Sequence, residues 1–245
     1  MSQGTRRERI RAATEMEIRE HARALLVTKG RDAVTLRAIA RELGITAPAL
    51  YRYYDSREDL LRQLGDDICT DLVSELTERL QSVESADFRG RLNSVCHGFR
   101  GWALAHPKEF ALVFATRADE TSEPEGGAAH QDGSDDRFAS VFMRIIGPLI
   151  VESTNLVHHD AAPAGLHCEL ASNQQSLTRA FSEEGINMPA EALDTNAVYV
   201  LLRWWVRLYG HVALEVFGRF PFTLVDADRL YDSLLDELAA EIGIA

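Results

Sequence analysis

Residues Thr35 to Arg57 read TLRAIARELGITAPALYRYYDSR, and the spacing of their apolar positions predicts two short helices joined by a tight turn. Leu36, Ile39, Ala40 and Leu43 fall at i, i+3, i+4 and i+7, so they share a buried face while Arg37 and Arg41 point to water. Thr35 stands where an N-cap belongs, and Gly44 stands where the helix has to end. Ile45 is placed to plug the angle between the helices. Thr46 is placed to cap the second helix, whose first turn tolerates Pro48 because the leading N–H groups have no partner inside a helix. That second helix is expected to run through Ala49 to Tyr54.

Leu50 and Tyr54, one turn apart, face the core and leave Pro48, Ala49, Tyr51 and Arg52 on the outward side. A helix this short does not hold by propensity, so its neighbours must dock it. It offers what a DNA major groove accepts: small residues for close approach, a Tyr hydroxyl for phosphate, and an Arg for phosphate or guanine. Ser56 caps the next helix with Asp59 as its capping-box partner, and Arg57 is expected at the rim as a phosphate contact. The candidate DNA contacts are Thr35, Arg37, Thr46, Ala47, Pro48, Ala49, Tyr51, Arg52, Tyr53 and Arg57. The bland alternative is a helical hairpin with a solvated basic face. The A-x-x-x-G-I-T spacing, followed by LYRYY and a capped helix, favours a helix-turn-helix instead.

Residues 15 to 65 resemble the TetR/AcrR family of one-component bacterial transcription regulators. The resemblance lies in a first helix ending at Lys29-Gly30, in TLRAIARELGI, and in LYRYYDSREDLL, where Tyr54 stands in place of the family's typical Phe. It implies an all-helical homodimer with N-terminal, three-helix DNA-reading heads and larger C-terminal bundles for ligand binding and dimerisation. The implied partners are a double-stranded DNA operator and a small-molecule effector.

The chain has 245 residues, 46% of them hydrophobic, enough for a small head and a larger helical body. The expected division is 1–65 for the head, with 1–10 a flexible or helical extension, and 66–245 for the body, with an acidic mobile loop at 116–136. No apolar run is long enough to span a bilayer, and the basic start MSQGTRRERIR precedes no hydrophobic segment. No membrane partner is therefore expected, and the location implied is cytoplasmic, at the nucleoid. Cys69, Cys96 and Cys168 are widely spaced and odd in number, which argues against a disulfide framework. The net charge of -12 has the wrong sign for a DNA binder, and its distribution resolves this. Residues 1–65 hold 13 Lys/Arg against 9 Asp/Glu, whereas the remainder holds 13 against 29. A basic head on an acidic body turns the head toward phosphate.

Beyond the head, Leu60, Leu61, Leu64, Ile68, Leu72, Leu76 and Leu80 keep a helical period to about Gln81. Further helices are expected over Phe88 to Ala105, from Pro107 through Phe114, from Arg137 to His158, and over Cys168 to Phe181. Ala192 to Phe217 is a long apolar helix, and Leu230, Leu234, Leu238 and Ile242 stripe a closing one. Apolar on more than one face, the pair can bury one face in its own bundle and another against a twin subunit. Leu201, Leu208, Val212, Val216, Leu230, Leu234 and Leu238 are the candidates for that interface. WVRLYGHVALEVFGRF is similar to the effector domain of a TetR subgroup with a Trp-His-Gly signature, with Tyr209 in place of the His.

His158, His159, His167 and Cys168 are the sole cluster with metal-ligand chemistry, but their spacing matches no usual finger or helix-borne site, and no metal is assigned. There is no nucleophile elbow, P-loop, dinucleotide turn or CxxC pair, so no cofactor and no enzyme activity is expected. Phe99, Trp102, Phe110, Phe114, Phe142, Trp205 and Tyr209 are candidates for the walls of an inducer cavity, or equally for plain core packing. Three readings result: a ligand-responsive dimeric repressor, a helical interaction protein that keeps its head without using it, and an enzyme on a helical bundle. The outward face at Tyr51, Arg52 and Arg57 favours the first over the second.

Overall fold

The computed structural model describes residues 5–115, 162–183, 185–187, 189, 193–223 and 225–241. All regular structure among them is helical: α1 (Arg6–Lys29), α2 (Leu36–Glu42), α3 (Ala47–Leu50), α4 (Arg57–Gln81), α5 (Phe88–Ala105), α6 (Pro107–Phe110), α7 (His167–Glu183), α8 (Thr195–Val216) and α9 (Ala227–Glu241). A short 3-10 turn at Arg31–Ala33 leads into α2, and a π-helical turn at Ala111–Ala115 extends α6. The acidic loop at 116–136, the helix expected from Arg137 to His158, and Ile242 lie outside the described residues. Among the described residues no helix is long and apolar enough to cross a membrane.

The chain forms two compact units. The first takes in the described chain as far as Thr70 and then 106–115. α1 starts on a capping box, in which the Glu8 N–H donates to Thr5 Oγ1 at 3.4 Å and the Thr5 N–H donates to Glu8 Oε2 at 2.6 Å. It buries Ile18, Ala22, Leu25 and Leu26, one stripe at helical spacing. Leu36, Ile39, Ala40, Leu50, Tyr54, Leu60, Leu61, Leu64 and Ile68 are buried in the same unit. A division at residue 65 leaves 106–115 with the body, whereas the structure groups that segment with the head. The reason is electrostatic as well as apolar. Glu109 is 2% exposed, accepts from Arg23 Nε of α1 at 2.5 Å and lies 2.7 Å from His106 Nδ1. Lys108 Nζ donates to the Val27 and Thr28 carbonyls at the C-terminal end of α1, at 2.7 and 3.1 Å.

The second unit holds the described residues from Asp71 to Ala105 and from 162 onward. Within it α5 comes close to α4 because Gly98 has no side chain. A Cβ there would lie 2.7 Å from Leu76 Cδ2 and 2.9 Å from Arg79 Cδ. α5 buries Leu92, Val95, Cys96, Phe99, Trp102 and Ala103; α8 buries Ala197, Val198, Val200, Trp204, Leu208 and Val212; and α9 buries Tyr231, Leu235, Leu238 and Ala239. One polar pin sits in this apolar setting. Arg100 of α5 donates from Nε and Nη2 to the two Glu215 oxygens of α8, each at 2.6 Å, and its Nη1 lies 2.7 Å from Asp228 of α9. The Tyr231 hydroxyl donates to the Cys96 carbonyl at 2.9 Å, with Arg100 over its ring.

That packing revises the interface expected from periodicity. Leu208, Val212 and Leu238 are buried inside the subunit, at 5%, 0% and 0% exposure, so they belong to its own core. Leu201, Val216 and Leu234 are half-buried and Leu230 is exposed. The apolar residues that α8 leaves in solvent are Leu202, Val206 and Leu214, with Phe217 just beyond its end.

Candidate nucleic-acid interface

The turn between α2 and α3 is built by the backbone. Gly44 adopts φ +67, in the left-handed region that a side chain disfavours. This lets the Ile45 N–H reach the Ala40 carbonyl at 3.0 Å while the Gly44 N–H reaches that of Arg41 at 3.4 Å, a Schellman closure of α2. Thr35 caps the other end, accepting from the Ala38 N–H at 3.1 Å. Ile45 stands just past this closure and remains 37% exposed, so it borders the angle between the helices without plugging it.

α3 is shorter than the expected helix. It stops at Leu50, and the Arg52 and Tyr53 N–H groups bond three residues back, to Ala49 and Leu50. Thr46 holds the N-cap position with an extended backbone, yet its side chain makes no capping bond and stays exposed. Leu50 and Tyr54 face the core as expected. The Tyr54 hydroxyl accepts from Arg19 Nη1 at 3.1 Å and donates to the Glu15 carbonyl at 3.2 Å, and Arg19 also binds Asp67. Burial pushes the Tyr54 phenol up, partly offset by Arg19. The Tyr at this position thus adds polar ties to α1 that a Phe would lack.

The outward side of this scaffold carries exposed Pro48, Tyr51 and Arg52, with Ala47, Ala49 and Tyr53 half-buried. Thr35, Arg37 and Ala47 line one open groove of about 510 Å³, together with Arg41 and Ile45. Arg41 had no place among the sequence candidates, and only the groove brings it to them. Tyr53 meets α1, with the Arg11 guanidinium 5.8 Å from its ring centroid. Arg57 also serves the fold of the head. Its Nε donates to the Val34 carbonyl and its Nη2 to the Arg31 carbonyl, both at 2.7 Å, so the guanidinium ties the start of α4 to the chain before α2. Two of its donors thus have a structural role at the base of α4. The Ser56 cap is present, with Asp59 N–H to Ser56 Oγ at 3.0 Å, but the Asp59 carboxylate accepts from Asp55 N–H at 3.3 Å.

The aromatic candidates divide between the units. Phe110 and Phe114 pack in the head unit with centroids 5.2 Å apart. Phe99 and Trp102 are buried in the body, and Trp205 stacks on Tyr209 at 5.4 Å with the rings 11° from parallel. Phe142 lies outside the described residues, as do His158 and His159. His167 Nε2 lies 2.9 Å from the Ala162 carbonyl, and Cys168 is exposed.

Comparison with known proteins identifies the class these features define. Residues 18–64 match the family described as bacterial regulatory proteins, tetR family, and residues 92–238 match the tetracyclin repressor-like C-terminal domain. The chain belongs to the TetR family: it is a DNA-binding transcriptional regulator and not an enzyme. It is 27% identical over 241 residues to the HTH-type transcriptional regulator Mb1846 of Mycobacterium bovis, covering 98% of this chain and 96% of that one. The HTH-type transcriptional regulator Rv1816 of Mycobacterium tuberculosis is similar to the same degree, 27% over 241 residues with the same 98% and 96% coverage. A solved structure described as a regulatory protein, SCO4313, superposes with a TM-score of 0.64 at 28% identity, covering 96% of this chain and 100% of that chain.

Proposed function

We propose that this regulator is a cytoplasmic homodimeric repressor that leaves a palindromic operator when a small, mostly apolar molecule binds its body. The observation that carries the DNA half is the outward pair Tyr51 and Arg52, in the turn that continues α3, beside an inward pair, Leu50 and Tyr54, that is buried. Thr35, Arg37, Thr46, Ala47, Pro48 and Ala49 complete the face, with Arg52 as the base or phosphate reader and Tyr51 as a phosphate donor. Leu202, Val206, Leu214, Phe217 and Leu230, apolar and exposed on the lone chain, support a twin subunit seated on α8 and α9. In a dimer the two α3 helices enter successive major grooves ~34 Å apart. An effector favouring a different spacing of the heads then releases the DNA, because it binds that state more tightly.

Selection of duplexes from a random-sequence pool tests this. Enrichment of a palindrome with half-sites about one helical turn apart is expected, and a pool that stays random would overturn the reading. For the effector half, Trp102, Trp205 and Tyr209 are the aromatic walls we assign. Tyr209→Phe should shift the effector concentration that releases DNA while operator affinity stays near wild type. An unchanged release curve would place the effector elsewhere.

A further inference from the structure

We propose that Arg6, Arg7 and Arg9, at the start of α1, form a second cationic grip on the DNA backbone, holding phosphates that flank the bases read by α3. The inference rests on the operator reading above. These residues precede the segment that matches the family, which begins at residue 18. All three are exposed, and among the described residues none of them makes an ion pair or a side-chain hydrogen bond. The nearest carboxylate in sequence, Glu8, is turned back onto the Thr5 N–H. Arg6 and Arg9 stand at i and i+3, where like charges repel by a few tenths of a kcal/mol. No ion pair within the described chain offsets that repulsion.

Their position gives the cluster its partner. Arg11 lies over the ring of Tyr53, so this side of α1 runs beside the end of the recognition segment that carries Tyr51 and Arg52. Arg7 is one turn before Arg11 on the same face, about 6 Å further along the axis at ~1.5 Å per residue. Arg7 therefore continues the reading face past Tyr53, and Arg6 and Arg9, about 100° and 160° round the helix from it, add charge to the same exposed turn. Double-stranded DNA presents one negative charge per ~1.7 Å of its axis, and guanidinium groups suit phosphate oxygens. A polyanion lying along α3 meets this turn without any new element.

The test is a salt titration of the full-length protein on two fluorescent duplexes, the selected operator and a scrambled duplex of equal composition. Each phosphate contact contributes ~0.9 to the slope of log K against log salt. The combined variant Arg6→Gln, Arg7→Gln, Arg9→Gln should lower that slope by at least ~1.8 per dimer, one contact per head, on both duplexes. The ratio of operator to scrambled affinity should hold, because phosphates carry no sequence information. The matching triple Lys variant should keep the wild-type slope. An unchanged slope in the Gln variant, or an equal loss in the Lys variant, would overturn the grip. Wild-type protein that binds both duplexes alike, with the slope still reduced in the Gln variant, would sink the operator reading and leave the grip standing. Wild-type protein that binds neither duplex overturns both.

Discussion

Arg52 and Arg57 are five residues apart, and their surroundings separate them. Arg52 is exposed on the reading face, whereas Arg57 spends two donors on backbone carbonyls at 2.7 Å. Arg52→Ala should weaken operator binding by ~1–3 kcal/mol with little change in melting temperature. Arg57→Ala should do the reverse, costing ~1–3 kcal/mol of head stability while the salt slope of DNA binding holds, as a denaturant melt beside a titration would reveal. His211 is a second residue whose surroundings decide its behaviour. Its side chain is 8% exposed and its Nε2 has no hydrogen-bond partner among the described residues, with Tyr231 and Phe220 against the ring and Glu215 3.7 Å away. Desolvation lowers its pKa below the ordinary 6.5, Glu215 opposing and Arg100 reinforcing the shift. The unfolded chain then takes up this proton first. The contribution of His211 is complete above about pH 6.5 and is lost as pH falls from there through the lower folded value. His211→Phe should flatten that part of the stability profile, and an identical acid-side slope in wild type and variant would rule the ring out as its source.

At the scale of the element, the pin between α5 and α8 illustrates how burial sets the worth of a charge. Glu215 is 13% exposed and grips Arg100 with both oxygens, while Asp228 is 79% exposed and screened by water. The hydrogen bonds from Arg100 to Glu215 are the main cause that holds the guanidinium above its ordinary pKa. Arg100→Leu should cost ~3–5 kcal/mol because it strands a buried carboxylate, whereas Asp228→Ala should cost under ~1 kcal/mol. Adding Glu215→Leu to Arg100→Leu should recover part of the loss, and strict additivity in the melts would show the pair to be uncoupled. The helices themselves were legible in the sequence, as the apolar period from Leu60 to Leu80 in α4 shows, but on α9 the expected stripe is buried only at Leu238, the core face being Tyr231, Leu235, Leu238 and Ala239. α3 was legible as a helix but not in its length, since Tyr51 to Tyr53 have no breaker and the chain merely tightens to three-residue bonds. α8 misled for a different reason: a helix apolar on several faces announces that it is buried without saying against what, so Leu208 and Val212 looked like surface. Arg57 could not be read at all, since its carbonyl partners leave no pattern in side-chain identity.

At the scale of the whole molecule, the apolar residues exposed on the lone chain set the expectation for assembly. Val206 is 53% exposed on α8. Val206→Glu should leave the fold intact and yield monomers in light scattering, because a symmetric interface would desolvate the charge twice. A dimer of wild-type stability would move the interface off this face. The feature of widest reach is the return of 106–115 to the head unit, where Glu109 meets Arg23 and Lys108 meets the end of α1. No stripe in the sequence announces it, since both contacts bridge some 80 residues of chain. It makes the head a discontinuous graft. A chimera that exchanges residues 5–65 between two regulators at a single crossover brings a foreign α1 to the host's Glu109 and Lys108. It inherits a buried carboxylate whose cation has been left behind. Such hybrids should regain stability only when the recombined block carries 106–115 along with the helix-turn-helix, so the exchangeable part of this regulator is two segments rather than one.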